Sequence, residues 1–329
     1  MKKLLAAAVA LTTVAALAVS FAGCAKKERM KVVDVMLTGE QYCYAVNNDK
    51  TAQMLGKVNE VVDKLVGSKP YNPELDPTTD AVGVAYDYNG DGVVETGVTM
   101  KTLYDAEQDG TIADNIGEVA TDIPNGLTRE KCLVVATNAE FAPFEYTDGN
   151  LFAGIDMHVA KIIAAELDLT LVIKDMEFDV VIQTVNLGQA DLGMAGLTYN
   201  ETRAQQVTFS KGYYGTTQRI AVRESDYVKF ADCKDEADVR AVIEDWGKIS
   251  AGGADGQSGY AYIVGDTNFG DKFVGFKNVT AKGYSSVALA VQDLAAGKLK
   301  FVAADKDTLQ EAVDAVNATI KVKDEASAA

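Results

Sequence analysis

The sequence contains a single histidine, His158, among 329 residues. One imidazole excludes every mechanism that needs two. It also argues against zinc sites of the usual Cys/His kind and against histidine-based triads assembled from distant segments. His158 lies within the amphipathic pattern of residues 154–167, so we predict a solvated helix residue that takes no part in a site.

Positive charge and proline are also scarce. The chain has 31 basic and 48 acidic side chains, and its formal net charge of −17 repels phosphate backbones, so we expect no nucleic-acid partner. Five prolines and 28 glycines fit neither a collagenous nor a low-complexity chain. With 24% charged and 48% hydrophobic residues, the composition is that of a globular protein. The length suggests about two domain-sized units.

Cysteine is too sparse for a disulfide framework. Cys43, Cys132 and Cys233 follow the cysteine at position 24, and the spacings of these three match no metal-binding pattern. We expect three buried thiols. One disulfide in an oxidising compartment remains the alternative, and its pairing cannot be read from the sequence.

The amino terminus has the order of a secretory signal. A basic start at residues 1–3 precedes an apolar run, Leu4 to Val19, and small residues before Cys24, as in exported proteins. The Ala-Gly-Cys ending resembles the lipobox of bacterial lipoproteins, although Phe21 replaces the more usual leucine. The resemblance implies a signal peptide at residues 1–23.

Cleavage at that point would leave Cys24 as the acylated first residue, with palmitate among its lipids. Residues 24–30 are polar and would form a tether. The protein would then be extracytoplasmic and lipid-anchored to the cell membrane, at the cell surface or in the periplasm. An uncleaved membrane anchor is the alternative.

Residues 31–128 combine strand, helix and loop patterns. Residues 31–37 and 42–46 read as strands, and apolar residues recur at every third or fourth position over 51–66, which predicts a helix. An apparent insertion, residues 67–100, holds two short strand-like runs about a turn. Helix resumes over 101–107.

From residue 129 onward, strand and helix patterns alternate, which predicts an α/β fold with a parallel sheet. Cys132 to Thr137 is a continuous apolar run, typical of a strand buried on both faces. The alternation restarts after a strand at 219–223, so we predict two lobes, 129–217 and 218–324. Ligands of such sheets bind beyond the carboxyl ends of strands, so we expect a site in a cleft between the lobes. Residues 325–329 are predicted to be a disordered tail.

Several short motifs follow the predicted strands in a fixed order. They are Asn138 to Glu145, Gly154-Ile155-Asp156, Ala195-Gly196-Leu197-Thr198 with Arg203, and Phe209-Ser210. Over about Cys132 to Lys323, the chain resembles the amino-acid-binding extracellular solute-binding proteins of ABC importers, solute-binding family 3. The resemblance implies a two-lobed, type II periplasmic-binding-protein-like fold with a hinge.

The resemblance assigns the ligand carboxylate to Arg203, with Gly196 and Thr198 completing the pocket. An arginine presents a planar, bidentate cation that suits a carboxylate. The alternative is a surface arginine in a polar turn. Asp305 ends the strand at 301–304, where the family places its ammonium-binding aspartate, and capping of the following helix is the alternative.

Further site residues also rest on the resemblance. Phe141 and Phe178 match the aromatic walls around the ligand side chain, whereas we expect Phe144 in the core. Asn138 could contact the ammonium or the side chain. Ser258 keeps a hydroxyl that could reach the carboxylate, although the Gln257 beside it departs from the usual Thr.

The order of segments departs from the family. The stretches 37–46, 55–60 and 109–112 resemble the carboxyl-terminal end of relatives, yet they come first here. We therefore predict a circular permutant in which residues 31–128 are the displaced tail and residues 42–47 and 218–223 are the hinge strands. An unrelated amino-terminal domain is the alternative.

The insertion contains oxygen-bearing side chains at the spacing of a calcium loop: Asp87, Asn89, Asp91 and Glu95, with glycine at the sixth position. Position twelve is Val98 rather than the bidentate glutamate. Asn89-Gly90 and Asp91-Gly92 also suit a metal-free hairpin turn. Both alternatives stay open, and no cofactor is required.

The resemblance implies a monomeric, lipid-anchored substrate-binding component that captures a free amino acid and delivers it to an ABC permease. A cleft enzyme of the dehydratase kind, using Glu140 or Glu145 as acid or base, is an alternative. A ligand-sensing module is another.

Overall fold

The structure is a computed structural model that describes residues 27–48 and 51–320. The predicted signal peptide, Cys24 and the predicted tail at 325–329 lie outside the described residues. Contacts divide the described chain into two units. Unit 1 comprises residues 27–38, 218–265 and 274–320, and unit 2 comprises residues 39–48, 51–217 and 266–273.

The strands, in chain order, are β1 (Met30–Val32), β2 (Gly39–Val46), β3 (Val84–Tyr86), β4 (Glu95–Val98), β5 (Cys132–Thr137), β6 (Glu140–Phe141), β7 (Glu145–Asp148), β8 (Leu151–Ala153), β9 (Thr170–Asp175), β10 (Leu192–Gly193), β11 (Thr208–Arg223), β12 (Ile249–Ala254), β13 (Val279–Tyr284) and β14 (Phe301–Asp305). The α-helices are α1 (Thr51–Val66), α2 (Met100–Asp109), α3 (Ile155–Glu166), α4 (Phe178–Asn186), α5 (Glu201–Ala204), α6 (Glu224–Tyr227), α7 (Glu236–Asp245), α8 (Ser258–Val264), α9 (Val287–Ala295) and α10 (Lys306–Thr319).

The sheet of unit 2 has the order β11–β2–β10–β5–β9 and includes only the first part of β11. β10, β5 and β9 run parallel, whereas β2 is antiparallel to both of its neighbours. The apolar side chains of β5 pack into two hydrophobic cores, one on each face of the sheet. Leu133 and Val135 join a cluster with α1 and α3, while Val134 and Ala136 join one with α4. Helices therefore cover both faces of this sheet, as the unbroken apolar pattern predicted.

The sheet of unit 1 has the order β13–β12–β14–β11, here with the last part of β11, which also pairs with β1. β12 is parallel to β13 and β14, and β14 is antiparallel to β11. Apolar residues of α9 and α10 pack together on this unit's strands, among them Val291, Leu294, Leu309 and Val313. Each unit is thus an α/β layer structure, which confirms the predicted fold class.

The segment 39–66 is built into unit 2. β2 lies between β10 and β11, and Val58, Val62 and Leu65 of α1 belong to the same core cluster as Leu133. The predicted insertion attaches to this unit through Tyr71, whose N–H donates to the Tyr213 carbonyl at 3.1 Å. β3 and β4 form an antiparallel pair within it.

The predicted bounds of β1 and β11 were wrong. β1 ends at Val32 rather than at Leu37, although the N–H of Leu37 still donates to the Gln218 carbonyl at 3.0 Å. β11 runs for 16 residues from Thr208, whereas we predicted only 219–223. It is long because its first part pairs with β2 and its last part with β14. β13 and α7 were not predicted.

The described cysteines at 43, 132 and 233 are free thiols. Cys43 and Cys132 are buried as predicted, but Cys233 is only half-buried, so the expectation of three buried thiols was wrong for this residue. Over residues 27–48 and 51–320, no helix is both long enough and apolar enough to cross a membrane.

Candidate functional site

The loop after β10 packs closely on an aromatic ring. Gly196 has a φ of 53°, and a Cβ at this position would lie 2.5 Å from Cε1 of Phe141. Only glycine combines that backbone conformation with so close an approach. Phe141 is 3% exposed and contacts the rings of Tyr42 and Phe144. Phe144 is fully buried, as predicted.

Arg203 is held by contacts on several sides. The carboxamide of Asn200 caps α5 by accepting from the Arg203 N–H at 2.8 Å, and Nη1 of Arg203 donates to the Thr198 carbonyl at 2.7 Å. The guanidinium carbon lies 5.3 Å from the ring centroid of Phe178 and 5.2 Å from that of Phe269. Such contacts orient the planar cation.

Thr198 is bound to a carboxylate that sequence analysis missed. Oγ1 of Thr198 donates to Oε2 of Glu40 at 2.9 Å, and an isolated bridge joins Thr198 to Tyr42. Glu40 lies 158 residues before Thr198 in the chain. No local motif links the two, and only the position of β2 in the sheet brings them together.

Asn138 follows β5 and is buried. Its Nδ2 donates to the Met176 carbonyl at 3.0 Å, and the N–H of Ala139 donates to Oδ1 of Asp175 at 2.9 Å. These bonds fasten the carboxyl end of β5 to the segment after β9. Asn138, Phe141, Phe178, Gly196, Thr198 and Arg203 all belong to unit 2.

The other predicted site residues, Ser258 and Asp305, belong to unit 1. Ser258 begins α8, is buried, and accepts a hydrogen bond from Nε2 of Gln218 at 3.2 Å. Asp305 is 3% exposed and precedes α10, but its side chain makes no capping hydrogen bond there. Asp305 therefore occupies the N-cap position of α10 without the side-chain hydrogen bond of a capping aspartate. A Cβ on Gly259 would lie 2.2 Å from the Ala303 carbonyl oxygen, so glycine lets α8 approach β14.

A buried acidic network supports the Gly196 loop. The carboxylate of Asp156 is fully buried and accepts from the Tyr213 hydroxyl at 2.7 Å and the Tyr44 hydroxyl at 3.3 Å. The backbone of Gly196 and the buried side chain of Glu145 also interact with this carboxylate. Burial raises the pKa of Asp156 to about 7, although these hydrogen bonds oppose the rise.

We expect stability to fall with rising pH because of Asp156. An unfolded aspartate has a pKa near 3.9, so between about pH 4 and 7 the folded chain binds a proton that the unfolded chain releases. The free energy of unfolding should therefore decrease across this window, by up to about 1.4 kcal/mol per pH unit. Urea titrations at several pH values should show this slope, and Asp156→Asn should flatten it. Asp63→Asn, which changes an exposed acid, is the control. Equal slopes in wild type and Asp156→Asn would contradict this assignment.

His158 was predicted to be solvated, and this was wrong. It is 1% exposed on α3, and its Nδ1 lies 2.9 Å from the Tyr86 hydroxyl in a hydrogen bond. Tyr86 comes from β3 in the insertion. The helical pattern could not reveal this contact because the partner belongs to a segment that is distant in sequence and was itself interpreted as an insertion.

In the candidate calcium loop, the side chains bond to the backbone. Asp87 accepts from the N–H groups of Gly90 and Gly92 at 2.7 and 3.0 Å, and Asp91 accepts from that of Val93 at 2.8 Å. Nδ2 of Asn89 donates to Oε1 of Glu95 at 3.0 Å. Within the described chain, no group of three or more His, Cys, Asp or Glu side chains is arranged to hold a metal ion.

A family model, bacterial extracellular solute-binding proteins, family 3, matches residues 133–328. Among curated proteins, the chain is 34% identical over 97 residues to the arginine-binding extracellular protein ArtP of Bacillus subtilis, an alignment that covers 30% of this chain and 38% of ArtP. It is 25% identical over 126 residues to the arginine-binding protein ArgT of Corynebacterium glutamicum, which covers 36% of this chain and 41% of ArgT. The chain thus spans less than half the length of these relatives.

Among solved structures, the chain is similar to the amino acid ABC transporter substrate-binding protein AbpA of Streptococcus pneumoniae bound to L-arginine. The identity is 26%, the TM-score is 0.46, and the match covers 55% of this chain and 70% of AbpA.

Proposed function

Because this chain belongs to the bacterial extracellular solute-binding proteins of family 3, we propose that it captures a free amino acid and passes it to an ABC permease. The single observation that carries this proposal is the seating of Arg203 between Phe178 and Phe269, beside the Thr198 carbonyl. A planar cation held in this way is suited to a carboxylate. The names of the relatives, which are amino-acid-binding proteins, support the same ligand class.

The remaining ligand groups are assigned by their chemistry. Asp305 is the proposed partner of the ammonium, and Ser258 adds a hydroxyl for the carboxylate. Phe141 and Phe178 are the proposed walls around the side chain, and Asn138 is a further polar contact.

The enzyme alternative would use Glu140 or Glu145 as its acid or base. Glu145 is fully buried in the network with Asp156, so a ligand would have to reach a carboxyl enclosed in the core. ArtP and ArgT, to which the chain is similar, are binding proteins. We therefore propose a binding protein without covalent chemistry or a required cofactor.

Titration calorimetry of residues 24–329 against the twenty common amino acids tests the proposal. We expect at least one of them to bind with a dissociation constant on the order of micromolar or tighter. Binding to none would reject the proposal, whereas turnover of a cyclohexadienyl acid would favour the enzyme.

We also propose that the mature chain is anchored through lipid on Cys24. The export-signal pattern and the extracellular family support this. Mass spectrometry of the amino-terminal peptide tests it, because an unmodified Cys24 would contradict it.

The circular permutation remains a proposal as well. It is supported by the interior position of β2 in unit 2 and by the core contacts of α1. A rearranged gene that places residues 31–128 after residue 320 should yield a folded, monomeric chain with unchanged ligand affinity. A chain that fails to fold would argue for an unrelated amino-terminal segment.

A further inference from the structure

Residues 265–275 form a loop whose two ends lie against each other. Gly265 and Gly275 have φ angles of 89° and 70°. A Cβ on Gly265 would lie 3.0 Å from the carbonyl carbon of Val274, and one on Gly275 would lie 2.7 Å from that of Val264. Both positions therefore favour glycine. The touching ends make this segment a compact loop, a class of structure that is frequently functional.

The tip of this loop is one helical turn, Thr267–Phe269. Asp266 holds its start, because Oδ1 of Asp266 accepts from the Asn268 N–H and the Asp266 carbonyl accepts from the Phe269 N–H, each at 3.1 Å. The ring centroid of Phe269 lies 5.5 Å from that of Phe273, which is 2% exposed. Local hydrogen bonds and a buried neighbour thus fix the position of the Phe269 ring.

The tip contacts Arg203 within unit 2. Residues 266–273 belong to this unit, and the helical turn packs on α5, which carries Arg203. The ring centroid of Phe269 lies 5.2 Å from the guanidinium carbon. An aromatic face attracts a guanidinium without accepting a conventional hydrogen bond from it. The ring can therefore orient this cation while using none of the N–H donors that a carboxylate requires.

We propose that Phe269 is a positioning residue for amino-acid binding, which holds the Arg203 guanidinium in the orientation that the ligand carboxylate needs. This rests on the function proposed above. Phe269 acts only through Arg203 and is assigned no contact with the ligand. A bidentate pair between guanidinium and carboxylate depends on their relative angle, so a ring that limits rotation of the guanidinium should raise affinity. The competing role of Phe269 is packing of the loop, which would affect stability and leave affinity unchanged.

The test compares leucine and tyrosine at position 269. Leucine keeps apolar bulk but has no aromatic face, so Phe269→Leu should raise the dissociation constant of the best-bound amino acid about three- to thirtyfold. Phe269→Tyr restores the ring and should stay within about twofold of wild type. Val274→Ala is the matched control, because it shortens an exposed apolar side chain of the same loop and should leave the affinity unchanged. Titration calorimetry measures affinity, and thermal melts show that each variant is folded.

A double-mutant cycle separates positioning from packing. In an Arg203→Ala chain, Phe269→Leu should change the affinity less than about twofold, because no guanidinium remains to be oriented. Undiminished affinity in Phe269→Leu would overturn the proposal. An equal loss with and without Arg203 would also overturn it, since Phe269 would then act on the ligand by another route.

A fluorescent variant gives an independent test if Phe269→Leu does not fold. Phe269→Trp in a Trp246→Phe chain makes the new indole the only one of the protein. A saturating amino acid should change its emission, because the indole and the ligand carboxylate would share one guanidinium, and unchanged emission would overturn the proposal. If the wild-type chain bound no amino acid at all, the proposed function would have failed and this inference with it.

Discussion

Arg203→Ala is expected to weaken amino-acid binding by about 2–5 kcal/mol, which corresponds to a dissociation constant at least about thirtyfold higher. The reason is that truncation leaves the ligand carboxylate without its cation in a partly buried setting. The guanidinium is oriented by Phe178, Phe269 and the Thr198 carbonyl, so no other side chain of α5 can replace it. Calorimetry with the best-bound amino acid measures the loss.

Two further variants sharpen this experiment. Arg203→Lys keeps the charge but loses the planar fork, so we expect an affinity between those of wild type and Arg203→Ala. Lys211→Ala removes an exposed cation of unit 2 that pairs with Asp63, and it should leave the affinity unchanged. If the Arg203→Ala protein has the melting temperature of wild type and binds the amino acid with undiminished affinity, Arg203 does not bind the ligand carboxylate.

The largest loss of stability is expected for Asp226→Asn in unit 1. Asp226 is 5% exposed, and its two carboxylate oxygens accept from Nζ of Lys300 at 2.8 and 2.7 Å. Lys229 and Arg223 lie within 3.4 and 3.5 Å. Removing the carboxylate takes away the shared partner of these cations, which themselves stay partly solvated, so the free energy of unfolding should fall by about 1–3 kcal/mol.

The loss of stability can be measured through the fluorescence of Trp246, which is the only tryptophan of the chain. Lys300 and Lys229 lie 4.9 and 5.5 Å from its ring centroid, so its fluorescence during urea unfolding reports on this unit. Lys298→Ala breaks an exposed pair with Asp293 and should cost less than about 1 kcal/mol. Equal effects of the two substitutions would contradict the assigned importance of Asp226.

The Asp226 carboxylate should also make the free energy of unfolding depend on pH. Burial raises the pKa of Asp226, but the hydrogen bond and charge of Lys300, with the charge of Lys229, outweigh it and lower the pKa below its usual value. The stabilisation is therefore present above about pH 4 and is lost as pH falls further. The difference in stability between wild type and Asp226→Asn should shrink in that acidic range.

Local patterns predicted the elements whose partners are numerous and apolar. The apolar run of β5 and the three-four spacing of α1 each indicate their structure, because burial against any apolar surface satisfies them. The roles of Arg203, Thr198 and Gly196 come from the resemblance to the family rather than from a local pattern, and they remain predictions. The predictions failed where a specific distant partner decides the outcome. His158 is buried by Tyr86, and Glu40 reaches Thr198 through the sheet. Neither hydrogen bond produces a periodic pattern in the sequence.

The interior position of β2 has a consequence for the order in which unit 2 can form. The Tyr44 N–H on β2 donates to Ser210 Oγ on β11, 166 residues later in the chain. β2 is therefore synthesised early, but it cannot pair with its two neighbours, β10 and β11, until more than half of the polypeptide has been synthesised. Closing such long loops is slow compared with local contacts. In a nascent chain of this protein, the sheet of unit 2 cannot be completed until residue 217 has been synthesised. Folding of unit 2 is therefore a late event.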